Sequence, residues 1–235
     1  YTREVTIDSA EFVADVRNLP FRQLDTIRAT AKQHQATVND LLLAALFRTI
    51  KKWTRESARL SERIFITVPV NLRSPGDRTA SNILSSVNVS LSPAVINDTA
   101  ELLQLIRKEM DSLSTNDIAR TMINLSCLIK PLPLTLKRFL LKRSFPVFSP
   151  TLLLSNLGVL SPNPSHIDEE GFHHMGSARI CNIHVIPNAG AWPNVLVSTY
   201  NRRMAVTMAV LSSCFSPESS RRFMDSFLEE IQAYR

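Results

Sequence analysis

The segment "ATVNDLLLAALFRTIKKW", residues 36–53, predicts the helix around which the rest of the fold is built. Residues 41–47 are all apolar, so this part of the helix has no polar side and must be surrounded by protein. Its start has a local explanation, because Thr37 can cap the helix while Asp40 lies in the first turn, at the positive end of the helix dipole. Asn39 is not needed for this cap, and it is therefore a candidate for another role.

Predicted helices and strands alternate along the rest of the chain, and some neighbouring strands pair as hairpins. Pro131 and Pro133 interrupt a helical pair, Gly158 breaks a strand, and Ser216 caps the last helix. The predicted strands cover residues 2–7, 63–74 (ended by a turn at 75–77), 82–92, 151–160, 178–187, 194–200 and 204–210; the predicted helices cover residues 19–31, 38–54, 98–114 and 115–149, with a last one from 216. This order predicts an α/β or α+β domain with a mixed β-sheet flanked by helices.

Composition limits the classes of function. The chain has 235 residues, 44% of them hydrophobic, which suits one large domain or two small lobes. The net charge of +6 comes from 27 basic and 21 acidic residues that are interspersed, so no nucleic-acid partner is predicted. Cys127, Cys181 and Cys214 show no CxxC spacing, which predicts buried thiols and a cytoplasmic protein.

Further classes are excluded by missing motifs. With five glycines, the chain contains no G-x-G-x-x-G, G-x-x-x-x-G-K-[ST] or G-x-S-x-G motif. No apolar run reaches the length of a membrane span. Four histidines lie close together in sequence, but none shares a ligand spacing with a cysteine or an acid, so no metal site is predicted and the segment is interpreted as a loop. These are His166, His173, His174 and His184.

Several segments, taken in order, carry a resemblance to a known family. "ATVNDLLLAALFRTIKKW" is followed by "ITVPVNLRSPGDRTASNILSSVNVSLS", "LLLSNLGVL", "NVLVSTYNRRMAVTMAV" and "FSPESSRRFMDSFLEEI". This combination resembles the C-terminal half of the condensation-domain-like acyltransferases, which have the chloramphenicol acetyltransferase-like fold. Relatives in that group include nonribosomal peptide condensation domains, alcohol acyltransferases and wax ester synthases.

The resemblance implies a two-lobe enzyme with its active site in a tunnel between the lobes. A thioester donor on coenzyme A or on the phosphopantetheine of a carrier protein meets an alcohol or amine acceptor there. The catalytic HHxxxDG motif of such enzymes lies in the N-terminal lobe. Here His173-His174 is followed by Ala178 and Arg179 where that motif has Asp and Gly, so the motif is absent. Residues 1–235 are therefore expected to form a single C-terminal lobe, and the start at Tyr1 fits a piece of a longer protein.

The resemblance also implies roles for individual residues. Ser155 is the candidate oxyanion donor, with a simple strand-end turn as the alternative interpretation of "SNLG". The candidate residues of the tunnel wall are Thr37, Asn39, Asp40, Arg73, Asn82, Asn156 and Gly158. The basic residues Lys137, Arg138, Lys142 and Arg143 suit a solvated helix face, a membrane contact, or a docking site for a carrier protein or CoA.

The implied mechanism is direct acyl transfer, with the base supplied by the N-terminal lobe and with no tightly bound cofactor. Three interpretations remain open: half of an acyltransferase, a non-catalytic binding module with the same fold, and a peripheral membrane lipid acyltransferase. A lobe without its partner should expose apolar surface, so self-association or dependence on a partner is also expected.

Overall fold

The structure is a computed structural model, and it describes most of the chain. The described residues are 11–56, 63–72, 84–96, 99–115, 118–140, 150–160 and 167–234. The strand expected at residues 2–7 and the turn expected at 75–77 lie outside these ranges. Within them, no helix has both the length and the apolar character needed to cross a bilayer.

Strands and helices interleave in the described ranges, as the sequence predicts. The strands are β1 (Phe12–Asn18), β2 (Ile64–Asn71), β3 (Leu84–Leu91), β4 (Leu152–Val159), β5 (His173–Met175), β6 (Ala178–Ile180), β7 (Asn194–Tyr200) and β8 (Arg203–Leu211). The helices are α1 (Phe21–Gln33), α2 (Val38–Glu56), α3 (Thr99–Thr115), α4 (Ile118–Ile129), α5 (134–140) and α6 (Pro217–Gln232).

Six of the strands form one mixed sheet in the order β1-β8-β7-β4-β2-β3. Strands β2, β4 and β7 are parallel to one another, while β3 and β8 run antiparallel to their neighbours. β1 is antiparallel to β8 and so runs in the same direction as β7. We call the edge where β1, β2, β4 and β7 end the carboxyl edge, and the edge where they begin the amino edge. The predicted mixed sheet flanked by helices is confirmed.

The hairpin β7–β8 turns at the carboxyl edge through two residues. Asn201 and Arg202 have φ angles of 42° and 60°, which is the left-handed conformation that a tight two-residue hairpin requires. Register is preserved through the whole pair, from Asn194 opposite Ala209 to Tyr200 opposite Arg203. The predicted hairpin is confirmed.

Helix α2 is the centre of the hydrophobic core. Every residue from Leu41 to Phe47 is 0% exposed, as expected for a helix with no polar side in this stretch. Helices α1, α3 and α6 contact α2 on one face of the sheet. Ile66, Val89 and Leu154 point from the sheet into the same cluster. We call this side of the sheet the helical face.

Two predictions of local structure need correction. The strand predicted at residues 178–187 is regular only over Ala178–Ile180, which pairs with β5 in a separate two-stranded sheet. The alternating side chains of residues 181–190 are exposed or partly buried, and these residues have no ladder partner in the described part of the protein. The predicted buried thiols are also wrong. All three cysteines are free and exposed. Cys127 lies on the solvent-facing side of α4, Cys181 directly follows β6, and Cys214 lies in the turn after β8.

Glu230 connects α6 to α2 through a buried carboxylate. It is 1% exposed and forms ion pairs with Arg48 and Lys52. These two cations lie one helical turn apart on α2, so both reach the same carboxylate. Burial by itself raises the pKa of Glu230, but the hydrogen bonds from Lys52 and Arg48 outweigh it and lower the pKa below its ordinary value of 4.5.

We predict that Glu230→Gln destabilises the protein at neutral pH. Because the folded-state pKa is lowered, the charged carboxylate stabilises the fold above about pH 4.5, and this contribution is lost as the pH falls below that value. Urea unfolding at pH 7 should show a loss of about 1–3 kcal/mol, below that of a fully buried pair because Lys52 is half-exposed. Below pH 4.5 the difference from the wild type should shrink. Glu229→Gln, at the exposed neighbouring position, is the control; equal effects of the two substitutions would contradict the ion-pair assignment.

Candidate functional site

Strand β4 carries Ser155 on the side of the sheet away from the helices. Leu152 and Leu154 are buried in the core on the helical face, so the alternation of side chains along a strand directs Ser155 to the opposite side. We call this opposite side the second face. Ser155 is half-buried there, beside Leu196 of β7. Its hydroxyl therefore lies on the face opposite the one on which α2 packs.

Other polar side chains lie on the second face of neighbouring strands. The Thr67 hydroxyl donates a hydrogen bond of 2.6 Å to Asn88 Oδ1 across the pair β2–β3. Asn194 Oδ1 and the Thr207 hydroxyl are buried and have no hydrogen-bond partner among the described residues. Ser155 lies between these two pairs in the order of strands. Hydroxyl and amide groups can donate and accept hydrogen bonds but do not take up a proton at neutral pH.

The sequence interpretation did not include these four additional residues. A signal for them is present, because Thr67 and Asn88 alternate with the apolar residues of "IFITVPVN" and "SVNVSL". Alternation places them on one face, but it does not give the order of strands that brings them beside Ser155.

The "SNLG" sequence forms a local irregularity near the end of β4. Asn156 Oδ1 accepts a hydrogen bond of 3.0 Å from the backbone amide of Gly158, which has a φ of 67°. The register between β4 and β7 shifts between Asn156 and Val159, so the strand continues past the glycine instead of ending there. Leu157 and Val159 are left exposed. The backbone freedom of glycine explains its presence here, and Asn156 has a structural role whatever else it does.

The start of α2 is a reciprocal capping box. The Asp40 amide donates to the Thr37 hydroxyl at 3.2 Å, while Asp40 Oδ2 accepts from the Thr37 amide and hydroxyl, each at 2.8 Å. Asp40 is 1% exposed and lies 3.4 Å from Arg107 of α3. Thr37 and Asp40 therefore have structural roles, and half-buried Asn39 is outside these bonds, as the sequence suggests.

The topology places the start of α2 and the end of β4 toward the same edge of the sheet, the carboxyl edge. β1 and β2 run in the same direction, so the chain between them must return from the carboxyl edge to the amino edge. α2 ends near the amino edge, because Lys51 donates to the Ile96 carbonyl beyond β3, and Trp53 packs on Phe215 beyond β8. Its N-terminus therefore points back toward the carboxyl edge, where β4 carries Asn156 and Gly158. Arg73 and Asn82 lie outside the described residues.

The basic segment is only partly described. Lys137 donates to the Lys130 carbonyl at 2.6 Å, and Arg138 is exposed. Lys142 and Arg143 lie outside the described residues. Four exposed apolar side chains accompany these cations on α4 and α5: Leu128, Leu134, Leu136 and Phe139.

The histidine pair is part of a small sheet, so its interpretation as a loop is wrong. His173 is buried, and its amide donates to the Tyr200 hydroxyl at 2.9 Å; that hydroxyl donates to the Ile180 carbonyl at 2.8 Å. His174 points outward, and its Nε2 atom lies 2.9 Å from Asp168 Oδ2. The Tyr200 hydroxyl therefore connects the two strands of the small sheet, because it bonds to His173 of β5 and to Ile180 of β6.

The Asp168 carboxylate organises the loop that leads into this small sheet. The backbone amide of Phe172 and the side chain of His174 both bond to it, and they lower its pKa from the ordinary value. Arg179 also lies 3.2 Å from this carboxylate and stacks on the Phe172 ring. No group of three or more His, Cys, Asp and Glu side chains is arranged to hold a metal in the part of the chain that the structure describes.

Comparisons with known structures show other proteins that have a similar fold. The epimerization domain from the third module of tyrocidine synthetase B aligns with 98% of this chain at 13% identity and a TM-score of 0.63. The wax ester synthase/diacylglycerol acyltransferase from Marinobacter aquaeolei VT8 aligns with 96% at 17% identity and a TM-score of 0.62. Trichothecene 15-O-acetyltransferase from Fusarium sporotrichioides aligns with 97% at 12% identity and a TM-score of 0.65.

These similarities define the fold. The chain has the chloramphenicol acetyltransferase-like fold of condensation domains and related acyltransferases. It spans about half of the length of the three proteins, covering 49%, 48% and 48% of them in the same order. No protein-family model matches the sequence, and no curated protein matches it by sequence.

We predict that Asp40→Ala lowers the stability of the protein much more than Asn39→Ala does. Asp40→Ala removes the reciprocal cap and the contact with Arg107, so the free energy of unfolding should fall by about 1–3 kcal/mol in urea titrations. Asn39→Ala leaves the cap intact and should change it by less than about 0.5 kcal/mol. A loss for Asn39→Ala as large as that for Asp40→Ala would show that both residues are structural.

Proposed function

We propose that this chain is one lobe of an enzyme that transfers an acyl group from a thioester to an alcohol or an amine. The observation that carries the proposal is the alignment of nearly the whole chain with about half of several acyltransferases and condensation-type domains. The donor would be carried by coenzyme A or by the phosphopantetheine of a carrier protein, as a co-substrate and not as a bound cofactor. The whole enzyme would act in the cytoplasm.

The second lobe would be an N-terminal one carrying HHxxxDG, on the same chain or on a separate one. Residues 1–235 contain no such motif. The polar side chains described on the second face are hydroxyls and amides, none of which can act as a base at neutral pH. They are Thr67, Asn88, Ser155, Asn194 and Thr207. Exposed Leu157 and Val159 at the carboxyl edge support a partner there, because apolar side chains at the end of a strand favour burial against another surface.

In this proposal, the two lobes form a tunnel that passes the carboxyl edge. A histidine of the N-terminal lobe takes the proton of the acceptor hydroxyl or amine, whose oxygen or nitrogen attacks the thioester carbonyl. The oxyanion that forms accepts a hydrogen bond from the Ser155 hydroxyl, and its collapse expels the thiolate, which takes the proton from the histidine. The proposed tunnel wall consists of Thr37, Asn39, Asp40, Arg73, Asn82, Asn156 and Gly158.

We predict that the complete enzyme, this chain together with its N-terminal lobe, releases thiol from acyl-CoA or acyl-pantetheine when an acceptor is present. Ser155→Ala should lower kcat by about 10²-fold with little change in KM, because the hydroxyl would act mainly on the charge of the transition state. The assay is thiol release with a chromogenic disulfide.

Ser86→Ala is the matched control for Ser155→Ala. Ser86 alternates with the core residue Val87 on β3, so it lies on the second face, two strands from β4. Its replacement should leave kcat unchanged. If the wild type, Ser155→Ala and Ser86→Ala have equal kcat and KM, Ser155 is not the oxyanion donor, but the acyltransferase proposal still stands. An absence of thiol release from the complete protein with any thioester would favour a non-catalytic binding module.

One observation favours a second candidate, a peripheral membrane lipid acyltransferase. Leu134 and Phe139 of α5 are 62% and 60% exposed, and the cations Lys137 and Arg138 lie between them in sequence. Exposed apolar side chains beside cations suit the interface of an anionic membrane. The same residues would otherwise form a docking site for an acidic carrier protein or for CoA.

We predict that, if this candidate is correct, the protein sediments with phosphatidylcholine vesicles that contain phosphatidylserine. Sedimentation should weaken as salt is raised, because screening reduces the attraction between the cations and the lipid. Phe139→Asp should abolish it, whereas Met175→Asp, at an exposed apolar residue of β5, should not. Equal sedimentation of the two variants, or none with the wild type, would exclude α5 as a membrane contact.

A further inference from the structure

A cavity of about 350 Å³ lies at the carboxyl edge, where β1 leads into α1. Asn18, Leu19 and Pro20 form its wall on this side, and Asn182 and Arg203 complete the described lining. Asn182 lies just after β6, and Arg203 is the first residue of β8. The proposed acyl-transfer mechanism uses none of these residues.

Arg203 gives this cavity a positive charge. Its side chain is exposed and forms no ion pair or hydrogen bond with any described residue. Asp25, the acid of the neighbouring helix α1, is paired with Arg202 at 3.1 Å. The lining that the structure describes therefore contains one guanidinium group and no carboxylate.

The neutral polar side chains of the lining present hydrogen-bond donors. Asn18 Oδ1 lies 2.9 Å from His184 Nε2, so this oxygen is already used, while the Nδ2 group of Asn18 has no acceptor among the described residues. The side chain of Asn182 has no partner among them either, so its amide can also donate. Both side chains can therefore bond to an anion that Arg203 attracts.

The start of α1 adds to this excess of donors. Pro20 is the N-cap residue, no side chain caps the helix, and its first turn contains no acid. Gln23, in the same turn, is 8% exposed, and its Nε2 atom has no acceptor. Because Pro20 also lines the cavity, the positive end of the helix dipole lies beside it.

We propose that this cavity binds the carboxylate group of a small organic acid. A guanidinium group offers two parallel N–H donors that match the two oxygens of a carboxylate. One cation suits the single charge of a carboxylate, whereas a phosphate carrying nearly two charges would be only partly neutralised. Leu19 and Pro20 provide apolar surface for a short carbon chain. A water molecule occupies about 30 Å³ of liquid, so a cavity of about 350 Å³ has room for such an acid and some water.

The cavity is separate from the proposed acyl-transfer site. On β8, Arg203 precedes Thr207 by four residues, and Thr207 is separated from Ser155 by strand β7. These offsets correspond to roughly 13 Å along the strands and about 10 Å across them. Carboxylate binding therefore does not rest on the proposed function, and either proposal can fail without the other.

The test is an NMR titration of the isotope-labelled full chain with sodium butyrate, at constant ionic strength and with chloride as the other anion. We expect saturable shifts of the Asn18 and Asn182 side-chain amides and of the Arg203 Nε–H group. The three groups should report one common Kd, on the order of 1 mM for so small a ligand.

Two variants and a matched control test the assignment of these residues. Arg203→Gln should weaken binding about tenfold or more, because it removes a charge-assisted hydrogen bond. It should fold, since no described residue bonds to this exposed side chain. Asn182→Asp places a carboxylate in the lining at nearly constant volume and should abolish binding. Arg28→Gln removes the same charge from an exposed position of α1 and should bind as the wild type does.

Each result decides the proposal. Tighter binding of butyrate than of acetate would support a contact of the carbon chain with Leu19 and Pro20, and equal binding would support a site for the carboxylate group alone. Equal weakening by Arg203→Gln and Arg28→Gln would reflect the net charge of +6 and would overturn the site. Undiminished binding in Asn182→Asp, shifts that do not saturate, or tighter binding of inorganic phosphate than of butyrate would also overturn it.

Discussion

Burial of the apolar half of α2 is the constraint on which this structure depends. A helix with seven successive residues fully buried cannot lie on a sheet alone, because a single sheet covers only one of its sides. The remaining sides are covered by α1, α3 and α6, so the helices collect on one face of the six-stranded sheet. The polar groups at the two ends of α2 remain outside this apolar environment, and both ends are fixed by buried carboxylates.

This one-sided arrangement explains why the candidate site lies where it does. Because the helices occupy the face that carries Leu154, the neighbouring Ser155 has to point to the other face. The hydroxyl and amide groups of Thr67, Asn88 and Thr207 lie on that same face, although they come from strands that are far apart in sequence. On β7 and β8 this face is already buried, as Leu196 and Thr207 show, so in the proposed enzyme a second lobe would meet the carboxyl edge and the half-buried part of the face around Ser155.

The sequence predicts elements well where the local pattern has a single physical explanation. The all-apolar run of α2, the Thr37–Asp40 capping box and the Ser216-Pro217 start of α6 are all confirmed, because each depends on residues within a turn or two of one another. The strand expected at residues 178–187 is too long, since alternation reports burial but not a hydrogen-bonded partner. The exposure of the cysteines and the neighbours of Ser155 depend on the packing and order of distant strands, and local alternation gives the face of a side chain but not that order.

The charged side chains near the two ends of α2 have opposite signs. At the N-terminus, Asp40 faces the positive end of the helix dipole and has Arg107 as a partner. In the C-terminal half, the cations face the negative end of the dipole and Glu230 supports two of them. The eight residues from Asp40 to Arg48 span roughly 12 Å along the helix axis and the twelve from Asp40 to Lys52 span roughly 18 Å, so these two charged environments do not touch each other. The same buried helix thus connects residues of the proposed tunnel wall at its N-terminus to the Glu230 ion pairs in its C-terminal half.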